Sequence, residues 1–207
     1  MLCIKRLIDI VGSFIGLLIL LPLFLIVALT IKLDSPGPVF FLQNRVGIEG
    51  KIFRIYKFRT MVAGAEKKGT GYVVGREDER ITRSGKYLRS SSIDELPQLI
   101  NVFKGEMSLV GPRPTLPYQV EGYTERQRRR LEVLPGMTGW AQVNGRNVLD
   151  WSEKIELDLW YIENRSLWLD LKILLRTVFM VLLRKGIYHE GRCDDRAGET
   201  TGRTKPL

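Results

Sequence analysis

Between Ile10 and Ile31 the chain carries no charged residue; Asp9 precedes the run and Lys32 follows it. Such a stretch is long enough for one helix of roughly 20 residues to cross a bilayer. A soluble domain of ordinary size has little use for so long an apolar helix, so this run constrains the fold more than anything else. It starts like a secretory signal, with Lys5 and Arg6 ahead of it. It is too long for one, however, and no small-residue cleavage site follows, so it reads as a retained membrane element.

Two features complicate a simple crossing. Basic residues stand on both sides: Lys5 and Arg6 before, then Lys32, Arg45, Lys51, Arg54, Lys57 and Arg59 after. The positive-inside bias therefore draws both ends to the cytoplasmic face. Pro22 sits near the middle of the run, where it removes a helix hydrogen bond and crowds the preceding turn. A re-entrant helix–break–helix over Ile10–Ile31 satisfies both observations. A straight, tilted span that tolerates Pro22 is the other reading, and the residues leave the two open.

The remaining chain is enough for one domain of ordinary size within the 207 residues. A net charge of +9 points to anionic partners: lipid headgroups, nucleic acid or phosphorylated small molecules. The membrane run favours the first and third. Cys3 and Cys193 lie far apart without a CxxC, which argues against a disulfide framework or a zinc site. His189 is the only histidine and lies near a polar tail, so a mechanism built on a central histidine base is not expected.

Ser35-Pro36-Gly37-Pro38 ends the membrane element as a loop. Val39–Gln43 and Ile52–Phe58 are short apolar and aromatic runs around a Gly47/Gly50 turn, which predicts a hairpin. Gly64–Arg83 reads as a polar loop. A helix is expected from near Ser92 to Gly105. Tyr123–Val133 and Trp151–Tyr161 also read as helices, the first rich in Arg126, Arg128, Arg129 and Arg130. Leu167–Ile187 is strongly apolar but interrupted by Asp170, Lys172, Arg176, Arg184 and Lys185. That pattern suits an interfacial helix, with an ordinary buried amphipathic helix as the bland alternative. The fold class is thus α+β, mostly α. Its parts are a membrane anchor over 1–34, a cytoplasmic or interfacial domain over 35–190 and a polar, disordered tail over 191–207.

Asp94-Glu95 is the sharpest chemical feature. Ser92-Ile93-Asp94-Glu95 matches a capping box, and acids in a first helical turn complement the helix dipole. Pro97 fits that reading poorly, because it falls just past the positions where a missing N–H is harmless. A helix that begins later leaves both acids in a non-helical lead-in, where they can face one site. An aspartate so placed can attack phosphorus covalently or bind Mg²⁺, a hard cation suited to carboxylate and phosphate oxygens. Cations for a phosphate lie nearby in sequence. Lys57 and Arg59 share a face of the second strand, Thr60 adds a hydroxyl, and Arg89 precedes the dyad. Arg113 sits between Pro112 and Pro114, which fix the backbone on either side. Each alone is weak, since a lone arginine is usually a solvated charge. Gly139-Trp140-Ala141-Gln142-Val143-Asn144-Gly145-Arg146 offers an indole and two amides that could meet a base or a sugar. There is no P-loop or GxGxxG to indicate nucleotide binding by those routes.

Five segments in one order resemble a known family: Lys57-Phe58-Arg59-Thr60-Met61, Ser92 to Gln98, Asn101 to Ser108, Val110 to Pro114, and Pro135-Gly136 through Gly145-Arg146-Asn147. The chain looks like the bacterial sugar transferases, the monotopic phosphoglycosyl transferases, in their minimal catalytic form. The resemblance runs from about Lys5 to about Ile187. It implies transfer of a sugar 1-phosphate from a UDP-sugar to polyprenyl (undecaprenyl) phosphate, with release of UMP, as a first membrane step of glycan assembly. The implied route is ping-pong, through a covalent aspartyl phosphosugar. Asp94 would be nucleophile and Mg²⁺ ligand, and Glu95 would assist it. Lys57, Arg59, Thr60, Arg89, Pro112, Arg113, Gln142, Asn144, Arg146 and Asp158 would bind substrate. The implied location is the bacterial inner membrane, with catalysis on its cytoplasmic face. The family breaks its re-entrant helix at a Ser-Pro pair; here the pair is Leu21-Pro22.

Two other functions fit parts of the sequence. A membrane-anchored scaffold could bind anionic lipid through its basic face, but it gives no role to the dyad and the framed arginine. A nucleic-acid-binding protein could use Arg126–Arg130, but no binding motif supports it and a membrane segment makes it awkward. No nucleic-acid partner is therefore expected.

Overall fold

The computed structural model describes residues 2–65, 78–145 and 148–182. Arg146, the end of the Leu167–Ile187 segment and the 191–207 tail lie outside the described residues. The fold is mostly helical α+β, with one long apolar helix at its N-terminus.

Helix α1 runs from Leu2 to Asp34. Pro22 lies inside it, and one helix continues through the proline. Pro22 removes a single backbone hydrogen bond, while the turns before and after it keep theirs. At 1.5 Å per residue the helix is about 50 Å long. Its inner face meets the rest of the protein along its whole length. Asp9, Ser13, Val27 and Ile31 are buried at helical spacing, with Leu23 and Phe24 half-buried between them. Gly12 and Gly16 bring the backbone close, because a Cβ there would lie 3.0 and 3.2 Å from methyls of Leu109 and Leu99. The outer face is apolar and bare, with Ile19, Leu25 and Leu33 at 72, 65 and 79% exposure.

The two halves of α1 are held differently. Near its start, the Lys5 ammonium donates to the Val110 carbonyl at 3.0 Å and to Asp170 at 2.5 Å. Arg6 donates to the carbonyls of Val102 and Phe103, and Asp9 accepts from the Leu109 N–H. Near its end, Val27 and Ile31 pack against Phe58 and Leu88, and Asp34 accepts from the N–H and hydroxyl of Ser84.

Strands β1 (Phe40–Val46) and β2 (Ile52–Phe58) form the expected antiparallel hairpin, Phe40 opposite Phe58 and Val46 opposite Ile52. The first strand is longer than its apolar run because Asn44 and Arg45 continue the pairing. Helix α2 (Arg83–Ser90), capped by the Thr82 hydroxyl at the Gly85 N–H, was not evident from the sequence: Arg83-Ser84-Gly85-Lys86 gives no apolar stripe. Helix α3 covers only Gln98–Lys104 and closes at Gly105, whose φ of 91° suits glycine.

Strands β3 (Ser108–Val110) and β4 (Gly136–Thr138) pair in parallel, a contact too short to leave a sequence pattern. Helix α4 (Pro117–Glu121) follows β3. The expected Tyr123–Val133 helix divides into α5 (Glu125–Arg128) and a 3₁₀ turn, Arg129–Glu132. Then come α6 (Trp140–Val143), α7 (Trp151–Asn164) and α8 (Leu167–Leu182). The main core gathers Val46, Val110, Val133, Ile155, Leu159, Ile162, Leu169 and Ile173. Helix α8 buries Leu169 and Ile173 there, and leaves Trp168, Leu171, Leu175 and Phe179 exposed.

Candidate active site

Asp94 and Glu95 lie in a 3₁₀ turn, Ile93–Glu95, ahead of α3. Ser92 is not an N-cap: it has φ 58°, ψ 15° and makes no side-chain cap. A left-handed serine costs about 1 kcal/mol. It turns the chain sharply between α2 and the dyad, so both acids fall in the lead-in before Pro97 and face one site. The capping-box reading therefore fails for a backbone reason.

The two acids have opposite surroundings. Glu95 is engaged on both oxygens. The Arg113 guanidinium grips it as a fork, with one bond at 3.1 Å from Nη1 to Oε2 and a second from Nη2 to Oε1. Lys57 donates to Oε1 at 2.9 Å. Burial alone would raise the Glu95 carboxyl, but the Arg113 and Lys57 charges outweigh it and hold it well below the usual carboxylate range. Burial also draws the Lys57 ammonium down, against the pull of Glu95.

Asp94 forms no hydrogen bond or ion pair with the described residues. Burial, then the charge of Glu95, push its carboxyl up to about 6, against the pull of Lys57, Arg89 and Arg113. A buried carboxylate with a raised pKa, beside the three cations Lys57, Arg89 and Arg113, is the kind of group that marks a candidate functional site. The same cations suit an incoming phosphate, and Asp94 is the one acid of the dyad with oxygens to spare. No cluster of three or more metal-ligating side chains occurs among the described residues. Asp94 would therefore hold Mg²⁺ as one carboxylate alongside phosphate oxygens and water, which is a common arrangement for this ion.

The other expected contacts divide. Arg89, on the last turn of α2, is near enough for its charge to act on Asp94. Pro112 is buried, and its carbonyl accepts from the Gly136 N–H at 2.8 Å, beside Arg113. Arg59 turns inward. It is 5% exposed and donates to the carbonyls of Pro36 and Ser35 at 2.6 and 2.8 Å. The strand ends at Phe58, so the face shared with Lys57 is lost one residue too early. Thr60 is buried beside it, its carbonyl accepting from the Thr82 N–H.

Asp158 is 1% exposed, on the buried face of α7, and pairs with Arg130 at 2.6 Å. Gln142 buries both amide atoms without a protein partner, while Asn144 is exposed and bridges the Trp140 carbonyl to Arg176 on α8. Neither touches the dyad. Sequence reasoning missed Arg130, which it grouped with Arg126, Arg128 and Arg129 in one basic helix; the clue was its position among the apolar residues Tyr123, Leu131 and Val133.

Comparison with known proteins gives one answer. Residues 1–184 match the family model described as bacterial sugar transferase. An uncharacterised sugar transferase of Bacillus subtilis, EpsL, is 48% identical over 89% of this chain and 90% of its own length. A UDP-glucose:undecaprenyl-phosphate glucose-1-phosphate transferase of Escherichia coli is 44% identical over 89% of this chain and 41% of its own. An undecaprenyl-phosphate galactose phosphotransferase of Salmonella typhimurium is 40% identical over 89% and 42%. The chain thus spans nearly all of the Bacillus protein and under half of the two larger ones. With its dyad in place and its whole described fold inside the matched region, the chain belongs to the bacterial sugar transferase family.

Proposed function

We propose that this transferase moves a sugar 1-phosphate from a UDP-sugar to polyprenyl phosphate, with UMP released on the way. The observation that carries this is Asp94, without a hydrogen-bond partner among the described residues, beside a Glu95 already held by Arg113 and Lys57. Asp94 attacks the phosphorus that bears the sugar. The bond from that phosphorus to the UMP oxygen breaks, and UMP leaves with the electron pair. An oxygen of polyprenyl phosphate then attacks the same phosphorus and displaces Asp94, giving a polyprenyl diphosphate sugar. Two steps let a soluble and a lipid substrate use one site in turn. Mg²⁺, held by Asp94 and the diphosphate, would offset charge on the phosphate oxygens. Arg89 and Arg113 orient those oxygens, and Glu95 keeps Arg113 and Lys57 at the site.

The docking of α1 supports membrane attachment from one side. A straight crossing would leave one end about 30 Å from the domain. Instead Lys5 and Arg6 at the start and Ile31 and Asp34 at the end touch the same body. The bare apolar faces of α1 and α8 would then enter one leaflet together. A lipid phosphate emerging there would meet the dyad at the surface, and the positive flanks of α1 support the cytoplasmic face of the inner membrane for it.

The test is UMP release from a panel of UDP-sugars with polyprenyl phosphate and Mg²⁺. Asp94→Asn should abolish turnover while the protein folds and stays in the membrane fraction. Full activity in that variant would remove Asp94 as nucleophile.

A further inference from the structure

The turn that presents Arg113 is fixed at every carbonyl. Pro112 accepts from the Gly136 N–H at 2.8 Å, Pro114 from Arg45 at 3.1 Å and Thr115 from the Val46 N–H at 3.0 Å. The remaining carbonyl, of Arg113 itself, accepts from Nη2 of Arg130 at 3.2 Å. The same Nη2 donates to Asp158 at 2.6 Å, and Nη1 donates to the Tyr123 hydroxyl. Arg130 is 6% exposed, its guanidinium lying 5.5 Å from the Trp151 ring centre and 5.7 Å from that of Tyr123.

A buried ion pair alone is weak evidence of function, since an apolar pair of similar volume is often as stable. Its geometry is more telling. Pro114 restricts residue 113 to extended backbone, and Pro112 fixes the residue before it. What is left to choose is the tilt of the peptide plane after Arg113, and that plane carries the carbonyl Arg130 holds. Only a planar fork spans Asp158, the phenol and that carbonyl at once; an ammonium is a single point.

We infer that Arg130, charged and oriented by Asp158, is a positioning residue that sets the direction of Arg113 toward Glu95. It touches no substrate and acts through the turn. The inference rests on the proposed reaction only in that Arg113 serves the site.

The experiment is a double-mutant cycle on full-length protein in detergent, reading UMP release and thermal denaturation together. Arg130→Lys keeps the charge opposite Asp158 and loses the fork. It should lower kcat/KM by about tenfold or more in the wild-type background, and by less than about twofold once Arg113 is already Lys. Tyr123→Phe removes one partner of the fork with its packing kept, and should give a smaller loss with the same dependence on Arg113. If Arg130→Lys does not fold, this second cycle decides. Losses that multiply with those of Arg113→Lys, or a lowered melting point with unchanged kcat/KM, would overturn the inference. If Arg113→Lys itself is fully active, the reading of the site fails instead.

Discussion

Arg59 and Arg113 invite the same expectation and behave in opposite ways. Each lies beside a proline-rich turn, and each stands close in sequence to residues of the dyad's surroundings. Arg59 donates to the carbonyls of Ser35 and Pro36, where α1 leaves for the hairpin. Arg113 reaches out to Glu95 and is exposed. The nearest unpaired acceptors decide the difference. At the Ser35–Pro38 loop the free groups are backbone carbonyls past a helix end, and the guanidinium satisfies them. At the Pro112–Pro114 turn every carbonyl already has a donor, so the guanidinium is left for the site.

Substitutions can break this contrast. The largest effect should come from Arg113→Ala, which removes one of the charges around the dyad. It should cost about a hundredfold or more in kcat/KM while the melting temperature barely moves. Arg59→Ala should do the reverse, losing about 2 kcal/mol of stability as two carbonyls at the end of α1 lose a charged donor. Activity per folded molecule should then fall less than about fivefold. Denaturation curves beside UMP assays separate the two outcomes, and equal activity losses would erase the contrast.

The pH profile sharpens it. The proposed attack needs Asp94 as a carboxylate, and burial and the Glu95 charge push its carboxyl up to about 6. Activity should therefore fall as the pH drops below about 6, where an ordinary aspartate would stay charged to about 4. The negative charge of Glu95 raises this value and the positive charge of Arg113 lowers it. Glu95→Gln should therefore move the acid limb to lower pH and Arg113→Ala to higher pH. Arg59→Lys should leave it in place. A pH–rate series on the four proteins checks all three signs.

The smallest effect belongs to Asp34, which caps the start of α2 through Ser84. Asp34→Asn should cost about 1 kcal/mol, in the range of a lost N-cap. Because α2 carries Arg89, activity should fall slightly with it. Denaturation of the variant beside wild type measures the stability term.

The hairpin and α7 were legible because each has a period that burial enforces, and the apolar stretch of α1 because its run carries no charge over many residues. The candidate site was legible in part. Asp94, Glu95, Arg89, Lys57 and Arg113 do converge, and the motifs that contain them are compact. Ser92 was not readable, because no pattern announces a left-handed serine. Arg59 and Asp158 looked like Lys57 and Asp94 by type alone. A side chain's type gives its charge and reach but not its neighbours.

By itself, then, the sequence determined an apolar helix with basic flanks, a mostly helical domain and an acidic pair among cations. Those follow from local spacing and from charge, which need no partner to be recognised. Only the tertiary structure decided that α1 stays whole at Pro22, docks at both ends and turns a bare apolar face outward. It alone made Glu95 a paired carboxylate and left Asp94 open, though the two are adjacent. The reason is that pairing and burial depend on groups far away in the chain: Lys57 from a strand and Arg113 from a turn reach one acid and not the other.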